Sequence, residues 1–122
     1  PATGHIAVLN RQSTGGYNPI HLALDPSGRF LVVANYGTDS LAALPIRRDG
    51  SLGPYPTLTT IAAPLGPHRI EQKNVRPHHN PLDPQGRFFY LPCKGADCVI
   101  AYRLDRRRGV LVESSRVAAR PS

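Results

Sequence analysis

The sequence lacks methionine and tryptophan and has only two cysteines, Cys93 and Cys98. Two cysteines five residues apart, without short Cys or His pairs on both sides, do not match a zinc-site spacing, so we expect no metal and no cofactor. A disulfide across a tight hairpin would fit the spacing. Nothing in the sequence marks a secreted protein, however, and we therefore expect two reduced thiols.

Long hydrophobic runs are also missing. No stretch approaches the apolar length that a bilayer-spanning helix needs, so no membrane association is expected. The opening "PATGHIAVLN" lacks the basic start and the following apolar run of a secretory signal. We therefore expect a cytoplasmic protein.

Acidic residues are scarce, with eight Asp and Glu against fifteen Lys and Arg, for a formal net charge of +7. The excess lies in residues 62–122, which hold eleven basic and five acidic residues. Such a field attracts anions. "RLDRRRG" is typical of a solvated surface, and no aromatic platform or nucleic-acid motif accompanies it. We expect an anionic small-molecule substrate and no nucleic acid.

The residues that are present suit one compact domain of short elements. Apolar residues make up 40% of the 122, which is enough for a hydrophobic core. Thirteen prolines and eleven glycines break the chain into short pieces. Long helices are therefore not expected.

A shift of 58 positions aligns the sequence with itself. "DPSGRFLVVANYG", from Asp25 to Gly37, then lies on "DPQGRFFYLPCKG", from Asp83 to Gly95. The identical pairs include Pro19 and Pro77, His21 and His79, Leu24 and Leu82, Asp25 and Asp83, Pro26 and Pro84, Gly28 and Gly86, Arg29 and Arg87, Phe30 and Phe88, Gly37 and Gly95, Asp39 and Asp97, and Ala43 and Ala101. A period of this order indicates a repeat array or a propeller.

Each copy reads as short strands separated by turns. "HLAL" ends at "DPSG", where proline presets φ and glycine supplies the freedom that the turn needs. "RFLVVANYG" is a dense β-branched strand, followed by "LAALPI", the Asp-Gly hairpin signal of "RRDGSLG", and "YPTLTTI". The second copy gives "HHNPL", "RFFYLPCKG", "DCVIAYRL" and "VLVESSRV". Four antiparallel strands per copy predict an all-β fold of β-propeller blades.

This pattern divides the chain into four parts. Residues 1–18 would end a preceding blade, with outer strands in "GHIAVLNRQST"; residues 19–61 form a first full blade, 62–76 an inter-blade loop and 77–122 a second full blade. Known propellers close with about four to eight blades. We therefore predict a partial β-propeller, a piece of a larger one. Uncovered blade faces favour self-association or a partner.

The first copy, the Pro-His-rich stretch after it and "DPQGRFFYLPCKGAD" resemble the lactonase family of seven-bladed propellers. This family includes the propeller type of 6-phosphogluconolactonase and the muconate-lactonising enzymes of fungi. The specific parts are the segment Ala34-Asn35-Tyr36-Gly37 and the Pro-His stretch. The resemblance implies hydrolysis of a phosphate-bearing sugar lactone without a metal, in carbohydrate metabolism and the pentose phosphate pathway.

Such a reaction needs a base that activates water and cations that hold the oxyanion and the phosphate. The family pattern has two histidines separated by one residue, and the second falls on His78. We take His78 as the catalytic candidate because a neutral imidazole can accept a proton; a hydrogen bond to a neighbouring loop is the alternative. The first histidine of the family pattern falls on Arg76, so the sequence departs from the pattern there. Arg76 would bind phosphate bidentately or lie on the surface.

Four more residues are candidates for substrate binding. Asn35 and Tyr36 end a central strand, where they would bind sugar hydroxyls or cap the strand. Gln72 matches a polar position of the family loop. His79 is the fourth, although its repeat partner His21 favours a scaffolding role for it.

Two departures indicate an incomplete site. Family members usually have an acidic residue at the position of Cys93 and a basic one at that of Cys98. The family's Arg-His pair, a glutamate and a further arginine lie in later blades. We expect little activity from these residues alone. The competing hypothesis is a non-catalytic propeller module that binds a ligand or a protein partner.

Overall fold

The computed structural model describes residues 3–121, and all regular elements in this range are β-strands. The first sheet contains β1 (Pro19–Leu24), β2 (Phe30–Asn35), β3 (Ser40–Pro45) and β4 (Leu58–Thr60). The second contains β5 (Phe89–Cys93), β6 (Cys98–Asp105) and β7 (Val110–Ala118). Consecutive strands are antiparallel neighbours in both sheets. Residues 3–121 hold no helix with the length and apolar character of a membrane span.

The repeated Asp-Pro-x-Gly turn has the same geometry in both copies, as the sequence predicts. The Gly28 N–H donates to the Asp25 carbonyl at 2.8 Å, and the Gly86 N–H donates to the Asp83 carbonyl at 2.8 Å. The two glycines have φ of 67° and 66°, a region that glycine reaches without a Cβ clash. Each turn reverses the chain into the strand that follows it, β2 in the first sheet and β5 in the second.

The second sheet has one strand fewer than predicted. Residues 77–82 run antiparallel to β5 but pair with it only through isolated bridges at the two ends of the segment. Pro77 and Pro81 in this segment, and Pro92 in β5, have no N–H to donate to a ladder. The predicted fourth strand is therefore reduced to a bridged segment in the same place.

The outer strands predicted in "GHIAVLNRQST" are not formed, since residues 4–14 contain no strand. Asn10 anchors the segment through hydrogen bonds of 2.7 and 2.9 Å to the Leu52 backbone. Ile6 and Val8 are exposed, and within residues 3–121 the segment pairs with no strand. The predicted parts 1–18 and 77–122 include residues 1, 2 and 122, which lie outside the described range.

The main hydrophobic core lies between the two sheets. It is formed by one face of each sheet, with the principal residues Phe30, Val32, Ala34, Leu41, Phe89, Leu91, Ile100 and Tyr102. A smaller cluster covers the other face of the first sheet and contains Val33, Ala42 and Leu44. The alternation of these residues along β2 follows from the two-residue period of a strand.

Polar contacts also join the sheets. The Asp39 carboxylate, in the turn after β2, accepts the backbone N–H groups of Val75 at 3.0 Å and Arg76 at 2.8 Å. The Asn80 side chain is fully buried and donates to the Val32 carbonyl at 3.0 Å. The inter-blade loop and the bridged segment are therefore fastened to the first sheet by its turns and its central strand.

Candidate functional site

Three predicted site residues meet where β2 and β5 end. The rings of Tyr36 and His78 are edge to face, with centroids 5.9 Å apart and planes at 83°. The Arg76 guanidinium carbon lies 5.5 Å from the centroid of the Tyr36 ring. Lys94, the repeat counterpart of Tyr36, lies at the end of β5. We call Tyr36, Glu71, Arg76, His78 and Lys94 the polar cluster.

Glu71 connects the two cations of the polar cluster. Its Oε2 is 3.1 Å from Arg76 Nη1 and 2.8 Å from Lys94 Nζ. The hydrogen bond from Lys94, followed by the charge of Lys94, lowers the pKa of Glu71, and the same contact raises the pKa of Lys94. Glu71, Arg76 and Lys94 together carry one net positive charge. An anionic ligand would therefore compete with Glu71 for the two cations.

Sequence reasoning missed Glu71 and Lys94. The repeat could have indicated Lys94, because a shift of 58 positions aligns it with the candidate residue Tyr36. Glu71 has no comparable signal apart from its position next to Gln72. Its role depends on a contact with a side chain 23 positions away, which no local pattern reveals.

His78 is anchored by its backbone and keeps its ring exposed. Its N–H donates to the Pro92 carbonyl at 3.0 Å, whereas its ring makes no hydrogen bond within residues 3–121. The ring borders a cavity of about 350 Å³ that is also lined by Lys94, Asp97 and Val99. The imidazole is therefore accessible to a ligand, beside a cation.

Asn35, by contrast, points into the protein. Its side chain is fully buried, and Nδ2 donates to the Thr14 carbonyl at 3.1 Å and to Ser40 Oγ at 3.2 Å. Its Oδ1 has no partner within residues 3–121. The side chain joins the segment before β1 to the start of β3, so the structure does not bring it to the exposed polar cluster.

Gln72 is also buried and binds backbone groups. Its Oε1 accepts the His68 N–H at 2.7 Å, and its Nε2 donates to the Lys94 carbonyl at 3.2 Å. Gln72 therefore holds the inter-blade loop against the turn that carries Lys94. Gln72 therefore affects the polar cluster only indirectly, by positioning the backbone of Lys94.

His79 stacks on its repeat partner, with ring centroids of His79 and His21 3.6 Å apart and planes at 27°. Burial first, and then the charges of His21 and His78, lower the pKa of His79. His21 Nδ1 lies 2.5 Å from Asn80 Oδ1. The stacked pair joins β1 of the first sheet to the bridged segment of the second.

Cys93 and Cys98 lie directly opposite each other on β5 and β6, and both are buried free thiols. Burial first, and then the neighbouring Cys98, raise the pKa of Cys93 to about 12. Thiols in this state are poor nucleophiles at neutral pH. Within residues 3–121, no three His, Cys, Asp or Glu side chains are grouped closely enough to hold a metal ion.

Two antiparallel sheets that pack face to face, each formed by one copy of the repeat, define a partial β-propeller with a polar cluster at one end. The family model described as "Lactonase, 7-bladed beta-propeller" matches residues 1–122. The chain belongs to this family, as the sequence resemblance implied.

Two curated relatives support this assignment. The chain is 30% identical over 112 residues to the 6-phosphogluconolactonase of Bacillus subtilis, covering 92% of this chain and 31% of the relative. It is 26% identical over 102 residues to the 6-phosphogluconolactonase of Formosa agariphila, covering 84% of this chain and 29% of the relative. The chain therefore spans about a third of the length of these relatives.

Solved structures show the same fold. A candidate 6-phosphogluconolactonase from Bacteroides uniformis superposes with a TM-score of 0.85 at 27% identity, over 98% of this chain and 34% of that one. The periplasmic gluconolactonase PpgL of Pseudomonas aeruginosa gives a TM-score of 0.77 at 29% identity, over 90% and 32% of the two chains.

Proposed function

We propose that the chain supplies part of a site that hydrolyses a sugar-phosphate lactone of the 6-phosphogluconolactone type. The observation that carries the proposal is the polar cluster, in which the exposed His78 lies beside Tyr36 and close to two cations. The family and the names of its relatives support lactone chemistry. The anionic substrate, the place in carbohydrate metabolism and the pentose phosphate pathway, and the cytoplasmic location belong to the same proposal.

In this mechanism, the His78 imidazole accepts a proton from a water molecule as the water attacks the lactone carbonyl. The ring C–O bond then breaks, and the protonated His78 imidazole returns its proton to the ring oxygen, which leaves as the hydroxyl of the open-chain acid. The developing oxyanion needs preorganised donors. We assign those donors to blades other than the two described here.

Arg76 and Lys94 would bind the phosphate of the substrate. An Arg fork can bind phosphate bidentately, and a Lys ammonium binds it as a point charge. Both cations already contact the Glu71 carboxylate, so the phosphate would take the place of this carboxylate as their anionic partner. Tyr36 contacts both the Arg76 guanidinium and the His78 ring.

The test measures both binding and turnover. Binding of the product 6-phosphogluconate is followed by chemical-shift changes or calorimetry, and hydrolysis of 6-phosphogluconolactone by acid release. We expect measurable binding and slow hydrolysis, because the oxyanion donors are assigned to other blades. Arg76→Ala should weaken binding roughly tenfold, equivalent to about 1.4 kcal/mol, and His78→Ala should remove the residual hydrolysis above background.

Matched controls lie far from the polar cluster. Arg48→Ala and His5→Ala remove exposed side chains of the same types elsewhere and should change neither quantity. Binding that is insensitive to Arg76→Ala would contradict the assignment of the phosphate site. Binding without any hydrolysis that depends on His78 would favour the competing hypothesis of a non-catalytic ligand-binding module.

A further inference from the structure

A second cationic cavity lies at the other end of the two sheets. The polar cluster lies where β2 and β5 end, whereas this cavity lies at the turns that lead into the same two strands. At ~3.3 Å a residue, a strand as long as β2 separates the two places by about 20 Å. The cavity has a volume of about 420 Å³, and its lining includes Asp25, Gln85, Gly86, Arg87, Arg103 and Arg106. We call it the arginine cavity.

The walls of the arginine cavity come from the two sheets that pack against each other. Pro26, in the turn before β2, lies so close to Gly86, in the turn before β5, that a Cβ on Gly86 would overlap the proline ring. Arg106, in the turn after β6, crosses to the first sheet, where its Nη2 lies 2.6 Å from Asp25 Oδ1. Contacts between two adjacent blades, both of them described, therefore shape this cavity.

The lining of the arginine cavity is positively charged. Among the described residues that line it, three are arginines, Arg87, Arg103 and Arg106, and one, Asp25, is acidic, which gives a net charge of +2. Asp83 binds Arg87 from outside the lining, and counting it leaves +1. Asp25 is 2% exposed, and both of its oxygens already accept hydrogen bonds. The cavity therefore presents mainly cations to a ligand.

The three arginines also keep unused donors. Arg87 donates from Nε and Nη2 to two side chains of its own turn, both at 3.2 Å. Arg106 donates from Nε and Nη2 to Asp25. Within residues 3–121, Nη1 of Arg87 and Nη1 of Arg106 make no hydrogen bond, and neither does the Arg103 guanidinium, which lies over the Phe88 ring at 4.6 Å. An anion in the cavity could use these donors.

We propose that the arginine cavity binds a small phosphate-bearing anion, at a site separate from the polar cluster. Arg guanidinium groups match the geometry of phosphate oxygens and bind them with paired N–H donors. A cleft lined by one sign of charge also raises the local concentration of the opposite ion. The volume lies in the range of about 300–1,000 Å³ that is usual for ligand pockets, so a small organic group fits beside the phosphate.

This site goes beyond the proposed lactone hydrolysis and does not depend on it. A bound phosphate would reduce the repulsion between Arg87, Arg103 and Arg106, whose side chains come from three places along the second sheet. Since the ligand would bind the folded chain and not the unfolded one, it should stabilise the fold. Phosphate should therefore raise the melting temperature.

The test is a titration with inorganic phosphate, followed by backbone amide chemical shifts, with sodium chloride at equal ionic strength as the control. The Gly86 and Arg87 amides report on the arginine cavity, whereas the Arg76 and Lys94 amides report on the polar cluster. Arg87→Ala should weaken phosphate binding at the arginine cavity roughly tenfold, because it removes a charged donor, and should leave the response of the polar cluster unchanged. Arg76→Ala should do the reverse.

A second variant changes the charge without removing an arginine. Gln85→Glu has nearly the same shape and would bind Arg87 Nη2 as a carboxylate, so it should also weaken phosphate binding roughly tenfold. Its melting temperature without phosphate should match that of the wild type. Arg107→Ala is the matched control, because Arg107 is exposed beside Arg106 and is not among the lining residues.

Two results would overturn the proposal. The first is a titration in which the Gly86 and Arg87 amides do not shift, or shift equally with chloride. The second is a phosphate affinity at these amides that both Arg87→Ala and Gln85→Glu leave unchanged. A phosphate response at Gly86 and Arg87 without one at Arg76 and Lys94 would support the arginine cavity and contradict the phosphate site assigned to the polar cluster.

Discussion

At the scale of single residues, the Asp25 carboxylate shows how charge holds the two sheets together. It is 2% exposed and accepts hydrogen bonds from Arg106 Nε at 2.9 Å and Nη2 at 2.6 Å, from the far sheet. Burial raises the pKa of Asp25, but the hydrogen bonds from Arg106 and Ser27, with the Arg106 charge, outweigh burial and lower the pKa below its ordinary 3.8.

Replacing Arg106 by glutamine should leave this carboxylate buried without its cation. We expect the unfolding free energy at neutral pH to fall by about 1 kcal/mol. This loss is small for a hydrogen bond between charged groups, because the Arg106 side chain is 46% exposed and water screens its charge. Because the folded pKa of Asp25 is lowered, its stabilisation is present above the unfolded pKa and lost as the pH falls through the folded pKa. Arg106→Gln raises the folded pKa, so acid unfolding should begin at higher pH.

Urea unfolding followed by circular dichroism over a pH series measures both effects. Arg107→Gln is the matched control, since Arg107 is the exposed neighbour in the same turn. Equal acid-unfolding midpoints for the two variants would reject a role for the Asp25–Arg106 pair.

Residue positions also show how much of the site the sequence predicts. The repeat and the family pattern located Tyr36, Arg76 and His78, which the structure brings together. Neither pattern located Glu71, because its two partners reach it only when the inter-blade loop folds against β5. Asn35 was placed correctly at the end of a strand, but the direction of its side chain depends on what packs around it.

At the scale of elements, the turn between β5 and β6 determines how the inter-blade loop docks. The Gly95 N–H donates to the Val75 carbonyl at 2.9 Å, and the Gly95 carbonyl accepts the Gly66 N–H at 2.9 Å. A Cβ on Gly95 would overlap the backbone carbonyl oxygen of Asn74. The loop can lie in this place only because the turn has no side chain there.

We therefore expect Gly95→Ala to lower the unfolding free energy by about 1–3 kcal/mol, the usual range for overpacking. Thermal unfolding is the measurement. Gly37→Ala, at the counterpart turn, should cost less, because its Cβ meets the movable ring of Tyr17 most closely, at 2.5 Å. A smaller loss for Gly95→Ala than for Gly37→Ala would contradict this account of the turn.

At the scale of the whole molecule, the two sheets share one core. Leu91 of β5 and Val32 of β2 are both fully buried in the same cluster. Neither sheet can keep its apolar face covered when the other unfolds. The two sheets should therefore unfold as one cooperative unit.

Leu91→Ala tests this cooperativity. We expect a loss of about 2–5 kcal/mol and an equal fall in hydrogen-exchange protection of β2 and β5, because the cavity weakens the core that both strands share. Val112→Ala, at a half-exposed position of β7, is the control and should change little. If exchange accelerated in β5 alone, the two sheets would be independent units.

The sequence by itself determined the repeat, the turns and the strand-rich character of this protein. Turn residues and β-branched runs act over a few neighbouring positions, and a 58-residue repeat makes the same local rules apply twice. Only the tertiary structure decided that residues 77–82 form a bridged segment, that Asn35 points inward and that Glu71 links two cations. These outcomes depend on contacts between segments as far as 81 positions apart, and such contacts exist only after the sheets have packed.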